Sequence, residues 1–151
     1  MSTDPVDDVR VSVVEPQQLY PLRLRVLRPG QPESSVQHDY DYFADVVHVA
    51  AIEGEGDVVA CATLYPEETP DGRPAWRLRA MATSPEVRGK GYGASTLRHG
   101  MQLARERGAT LLWCNARSGA VWFYERLGFV KTSEEFEIPP IGPHFVMEVE
   151  L

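Results

Sequence analysis

The feature that most constrains this chain is a run of three alternate glycines set among two cations, Arg88-Gly89-Lys90-Gly91-Tyr92-Gly93, where an apolar strand gives way to a helix. Glycine reaches left-handed backbone conformations closed to other residues, and it leaves no side chain between the backbone N–H groups and a ligand. The helix predicted from about Gly91 to Arg107 adds unpaired N–H groups and the positive end of its dipole. Such a loop suits a backbone that wraps closely around an anion, so a phosphate or pyrophosphate is expected. The stretch from Leu78 to Leu127, read as strand, loop, helix, strand and helix, is organised around it.

Spacing narrows the choice of phosphate compound. A P-loop needs G-x-x-x-x-G-K-[ST], but Ser84 stands where its first glycine belongs, and Gly91 stands where a hydroxyl should hold magnesium. A dinucleotide fingerprint can be forced onto Gly89, Gly91 and Ala94, yet the next strand ends Trp113-Cys114-Asn115, with no carboxylate for a ribose. The same residues fit R-x-x-G-x-G, which resembles the acyl-CoA pyrophosphate loop of the GNAT superfamily of N-acetyltransferases. A second segment, Ala120-Val121-Trp122-Phe123-Tyr124-Glu125-Arg126-Leu127-Gly128-Phe129, looks like the family's A-x-x-x-Y-E-x-x-G-F motif and follows at the family's distance. The closing Gly142-Pro143-His144-Phe145-Val146-Met147 is similar to the ElaA-like bacterial branch.

The resemblance implies an α/β fold with a mixed, mostly antiparallel central sheet of about six to seven strands. The two middle strands splay apart, and about four helices flank the sheet. It implies transfer of an acetyl group from acetyl-CoA, as co-substrate, to a primary amine by direct attack in a ternary complex. A non-catalytic acyl-CoA-binding module is the alternative. In the family the pantetheine arm pairs with backbone exposed in the splay, which here points to Met81, Ala82 and Thr83. The pyrophosphate falls to Arg88, Gly89, Lys90, Gly91, Tyr92, Gly93 and Ala94. Tyr124 matches the tyrosine whose hydroxyl meets the thioester sulfur and the cofactor's arm. The family often has asparagine seven residues before that tyrosine; here the position is Arg117, and Asn115 is the nearest asparagine, so either is a candidate for the arm.

Length and composition agree with one such domain. At 151 residues the chain forms a single domain, 1–151, with the acidic residues 1–8 expected to be flexible. The start lacks the cationic and apolar regions of a signal peptide, and no apolar run approaches a membrane span, so a cytoplasmic protein is expected. A formal net charge of −7 disfavours nucleic-acid binding and would repel CoA at long range, leaving Arg88 and Lys90 to supply local positive charge. Two cysteines in apolar runs, Cys61 and Cys114, and four scattered histidines give neither a disulfide framework nor a metal site. The acceptor is expected to be a small-molecule or peptide amine, and a homodimer is left open.

Periodicity fills in the remainder. Val9, Val11 and Val13 alternate as a strand; 16–28 fits either a strand, through Leu22, Leu24 and Val26, or a helix, through Leu19, Leu22 and Val26, and the family resemblance implies the helix, closed by Pro29-Gly30; and 29–44 reads as a loop or short helix able to cover a ligand. Strands follow at 46–52 and 58–65, joined by a hairpin, and at 75–83. The next strand runs through Leu111-Leu112-Trp113, Ser118 is a candidate cap for the helix carrying Tyr124, and final strands are expected at 129–138 and 144–151. An amine arrives protonated, and no motif marks a carboxylate as its base. His48, in mid-strand, and His144, after a Gly-Pro turn, are therefore the candidates. The segment Arg25 to Asp45, with its aromatics and acids, is expected to line the acceptor pocket beside them.

Overall fold

The computed structural model describes residues 9–151, so the flexibility expected of residues 1–8 lies outside the described residues. One sheet of eight strands carries the fold. Its strands are β1 (Val9–Val13), β2 (Val47–Glu53), β3 (Asp57–Pro66), β4 (Trp76–Thr83), β5 (Leu111–Arg117), β6 (Val130–Lys131), β7 (Phe136–Ile138) and β8 (Gly142–Glu150). The order is β1-β2-β3-β4-β5-β8-β6, with β7 also paired to β8. All pairs are antiparallel except β4 with β5. Three helices accompany it, α1 (Tyr20–Leu27), α2 (Tyr92–Glu106) and α3 (Val121–Arg126), one fewer than expected among the described residues, because 29–44 forms two short 3-10 turns instead of a helix.

The parallel pair is the feature on which the site depends. β4 and β5 are in register only at Trp76 with Leu112 and Arg77 with Trp113. Beyond that, β4 stays bonded to β3 on one side and β5 to β8 on the other, and the two facing edges diverge. Each edge then carries backbone N–H and C=O groups that the other strand does not use. A bulge accompanies the divergence. Opposite β3 the register jumps between Cys61 with Ala82 and Thr63 with Arg79, and Ala80 sits in the left-handed region at φ +53°. An alanine there costs about 1–2 kcal/mol against the ordinary conformation, which the surrounding ladder sustains.

α2 lies on the sheet because its apolar face and its glycines let it. Leu97, Met101 and Ala104 are buried in the main core with Val49, Leu64, Leu78 and Leu112, each large side chain contributing about 1.5–3 kcal/mol of transfer free energy. A Cβ on Gly100 would come within 2.6 Å of Leu64 Cδ1, so with any other residue there Leu64 or the helix would have to shift. The helix ends at Gly108, whose φ of +92° suits only glycine well, with Ala109 N–H donating back to Ala104 O.

Two expectations at the C-terminal end are corrected. The single strand expected over 129–138 is two short ones, because Ser133-Glu134-Glu135 interrupts it. There Ser133 Oγ takes the Val146 N–H and so replaces a ladder bond with a side chain. Ser118 does not cap α3 either: it opens a 3-10 turn, Ala120 is the capping residue, and the Ser118 hydroxyl donates to Glu135 Oε2 at 2.8 Å.

Candidate active site

The glycine loop behaves differently at its three glycines. Gly89 and Gly91 have φ of +87° and +83°, and a Cβ on either would meet nothing within 4 Å. Their requirement for glycine is conformational, and the space beside them is open. Gly93, in the first turn of α2, is the opposite case: a Cβ there would lie 2.6 Å from Thr83 Oγ1 and 3.5 Å from Met81 and Phe123, so its small size serves the packing of α2 on β4. Arg88 and Lys90 are exposed and hold no ion pair among the described residues. Tyr92 is buried and Ala94 half-buried, so these two belong to the base of the loop.

Where β4 and β5 part, a cavity of about 220 Å³ opens. Arg77 to Met81 line it from β4, Cys114, Asn115 and Arg117 from β5, and Tyr124 from α3. The 3-10 turns contribute Val36, His38 and Tyr40, and the β7–β8 hairpin contributes Ile138, Ile141 and His144. Thus Met81, Asn115, Arg117, Tyr124 and His144 come together, although they span more than sixty residues of sequence. Ala82 and Thr83 continue β4 from Met81 toward the glycine loop.

Tyr124 is 7% exposed and packs edge-on against Phe123 and Phe129. Its hydroxyl has no hydrogen-bond partner among the described residues and is not enclosed by protein atoms, so it is reached from the cavity that Tyr124 lines. Burial raises its pKa well above the ordinary phenol value, the nearby Cys114 adding to the rise and Arg117 opposing it, so the hydroxyl keeps its proton. Cys114 is also held protonated, burial pushing its thiol up to about 12.

The two histidines separate. His144 lines the cavity, and its Nδ1 lies 2.7 Å from Gly142 O. A carbonyl only accepts, so Nδ1 carries the hydrogen and the lone pair of the neutral ring is on Nε2. His48 does not line the cavity: it is 4% exposed, its Nε2 donates to Asp41 O at 2.9 Å, and its Nδ1 is 2.8 Å from Thr63 Oγ1. With both nitrogens bonded and burial lowering its pKa, His48 is a neutral structural group, and the expectation that it faces the acceptor is corrected.

The loop acids are also elsewhere than expected. Asp41 is buried and takes two 2.8 Å hydrogen bonds from Arg23, which also donates to Val36 O and Thr63 Oγ1. Burial opposes the Asp41 charge, yet these bonds hold its carboxyl below the usual range. Among the described residues no aspartate or glutamate lines the cavity, whereas five arginines do, Arg23, Arg28, Arg77, Arg79 and Arg117. Of these only Arg117 is singled out by the sequence; the signal that marks Arg77 and Arg79 is their alternation as cations on the strand before the glycine loop. Arg23, in the helix ahead of the predicted 25–45 segment, gave only the faint signal of a cation between Leu22 and Leu24.

A model of the acetyltransferase (GNAT) family matches residues 17–129, which include both motifs. The chain belongs to the GNAT acetyltransferase family. Among its relatives, the Bacillus subtilis protein called uncharacterized N-acetyltransferase YitI is 30% identical over 141 residues, 92% of this chain and 94% of the relative. Among solved structures, Escherichia coli ElaA superposes with a TM-score of 0.74 at 18% identity, covering 93% of this chain and 98% of its own. A GCN5-related N-acetyltransferase from Kribbella flavida gives 0.72 at 17% identity, covering 96% and 99%. These likenesses show that the fold is the GNAT fold. Family membership supports acetyl transfer from an acyl-CoA co-substrate in general terms.

Proposed function

We propose that this GNAT protein moves an acetyl group from acetyl-CoA to a primary amine by direct attack, and that the reaction takes place where β4 and β5 part. The observation that carries this reading is the Tyr124 hydroxyl, protonated and without a protein partner, in the wall of a cavity between two strand edges. The residues present fit an acyl-CoA. The open space beside Gly89 and Gly91, with Arg88 and Lys90 adjoining, suits a pyrophosphate, and the backbone of Met81, Ala82 and Thr83 offers groups to a pantetheine arm. Asn115 stands across the cavity as a further contact for the arm.

Acetyl-CoA supplies an activated carbonyl and a leaving thiolate. Tyr124 donates a hydrogen bond or a proton to that sulfur, a role that needs a phenol still protonated at neutral pH. Cys114, the thiol in the cavity wall, is protonated and so unsuited to forming an acyl-enzyme, which favours direct attack by the amine. His144, with its Nε2 lone pair, takes the ammonium proton directly or through water. CoA release measured with acetyl-CoA and a panel of amines tests the reading. Turnover of at least one primary amine is expected; acetyl-CoA binding with no turnover of any amine would instead identify an acyl-CoA-binding module.

A further inference from the structure

The charge of the cavity runs against the charge of the protein. The chain carries 22 acidic and 15 basic residues, yet among the described residues the cavity wall holds five arginines and no carboxylate. Two of the five are neutralised from behind. Arg23 is paired with Asp41 at 2.8 Å, and Arg77 with Glu67 at 2.7 Å while its guanidinium stacks on Trp113. Even these retain unused donors, since the buried Nε of Arg23 and of Arg77 has no acceptor. The other three, Arg28, Arg79 and Arg117, have no carboxylate within ion-pair distance among the described residues.

Arg28 and Arg117 form the tightest unneutralised group. Arg28 follows α1 and Arg117 ends β5, and both guanidiniums donate to the same carbonyl, Leu27 O, at 2.8 and 3.4 Å. Arg117 reaches solvent at the cavity rim, but the protein packed around it and the charge of Arg28 both press its pKa below the ordinary arginine value. Two guanidiniums held at one carbonyl with no acid between them are a poor arrangement for stability alone. They are a good one for an anion, which each can bind through paired N–H donors.

Resting on the acetyl-transfer reading above, we propose that the acceptor is a small primary amine that carries its own anionic group, a carboxylate or a phosphate, and that Arg28 and Arg117 seat that anion. The same field sorts substrates. A simple alkylammonium or a diamine meets only positive charge, whereas the anion of an amino acid offsets it. Once bound, the amine lies among cations that lower its pKa and so favour the neutral form that attacks the thioester.

A matched acceptor series tests this with the full-length protein: amino acids, their amides, the corresponding amines without the carboxyl group, diamines, and aminoalkyl phosphonates. The kcat/KM for anion-bearing acceptors is expected to exceed that for the matched amides by about tenfold or more, mainly through KM. A larger value for phosphonates than for carboxylates would support the seat and name phosphate as its anion. In R28Q the preference for anion over amide should fall by about tenfold, R28K should restore part of it, and R28E should tilt it toward diamines. If amides or diamines are acetylated as well as the anionic acceptors, the proposal is overturned while acetyl transfer stands. If acetyl-CoA binds and no amine at all is acetylated, both readings fall together.

Discussion

The glycine loop and the acceptor cavity present cations in opposite ways. Arg88 and Lys90 stand exposed in a loop whose ligand geometry comes from the backbone, at left-handed Gly89 and Gly91. The arginines of the cavity are side chains from α1, the segment after it, β4 and β5, and one of them is buried completely. The difference teaches how each end recognises its partner. A backbone site can be written in six consecutive residues and fits a ligand common to a whole family. A site of long side chains must be held in place by buried bonds, and it can differ from one family member to the next without disturbing the loop.

That contrast breaks most readily at Arg23. Arg23→Met would leave the Asp41 carboxylate buried without its two hydrogen bonds and detach the 36–43 segment from β3, at a cost of about 3–5 kcal/mol. Chemical denaturation checks this, and a loss below about 1 kcal/mol would mean that the segment is held by its aromatics alone. Next in size is Tyr124→Phe, which should lower turnover roughly a hundredfold and leave acetyl-CoA affinity unchanged, since only the hydroxyl is lost. The wild-type pH profile should also show no decline attributable to this residue below about pH 10, because its pKa is raised above the ordinary phenol value. Equal turnover of the two proteins would make Tyr124 a packing residue.

The loop itself divides under substitution. Gly91→Ala should weaken acetyl-CoA binding, read as a diminished thermal shift, with about 1–2 kcal/mol of backbone strain from its positive φ. Gly93→Ala should lower the melting temperature instead, through the close approach to Thr83 Oγ1, and the reverse pattern would exchange the roles assigned to the two glycines. The smallest effect concerns acid stability. His48 keeps a lowered pKa when folded, whereas in the unfolded chain an imidazole takes up a proton near 6.5. The unfolded state therefore binds more protons below about pH 6.5, and stability should fall as the pH drops through that value. Titrating the melting temperature of wild type and His48→Gln checks it, a flatter acid limb being expected for the variant.

The succession of strands along the chain, the long helix and the glycine loop were legible because each rests on local pattern: alternation, a 3.6-residue face, or a stop at Gly108. The strand divergence was legible only through family resemblance, since nothing in the β4 sequence announces a bulge at Ala80. The two histidines show where pattern runs out. His48 and His144 both sit on strands with apolar neighbours, and what separates them is the partners that the fold brings: Thr63 and Asp41 O close around one, while the β7–β8 hairpin turns the other into the cavity. The cation-rich wall was missed for the same reason, because its arginines are up to 94 residues apart, from Arg23 to Arg117.

The bulge at Ala80 also fixes how many residues this part of the chain must have. Two residues of β4, Ala80 and Met81, span the interval that β3 covers with Ala62 alone. Removing one of them would make the ladder regular and leave Ala82 opposite Cys61, so the later side chains would keep their faces, but the left-handed residue and the extra twist of the bulge would be lost. Thr83 would still pair with Ala60 and keep the side on which it meets Gly93. Substitution at Ala80 is thus a matter of local strain, whereas deletion there straightens the one irregular step of β4 beside the place where it parts from β5.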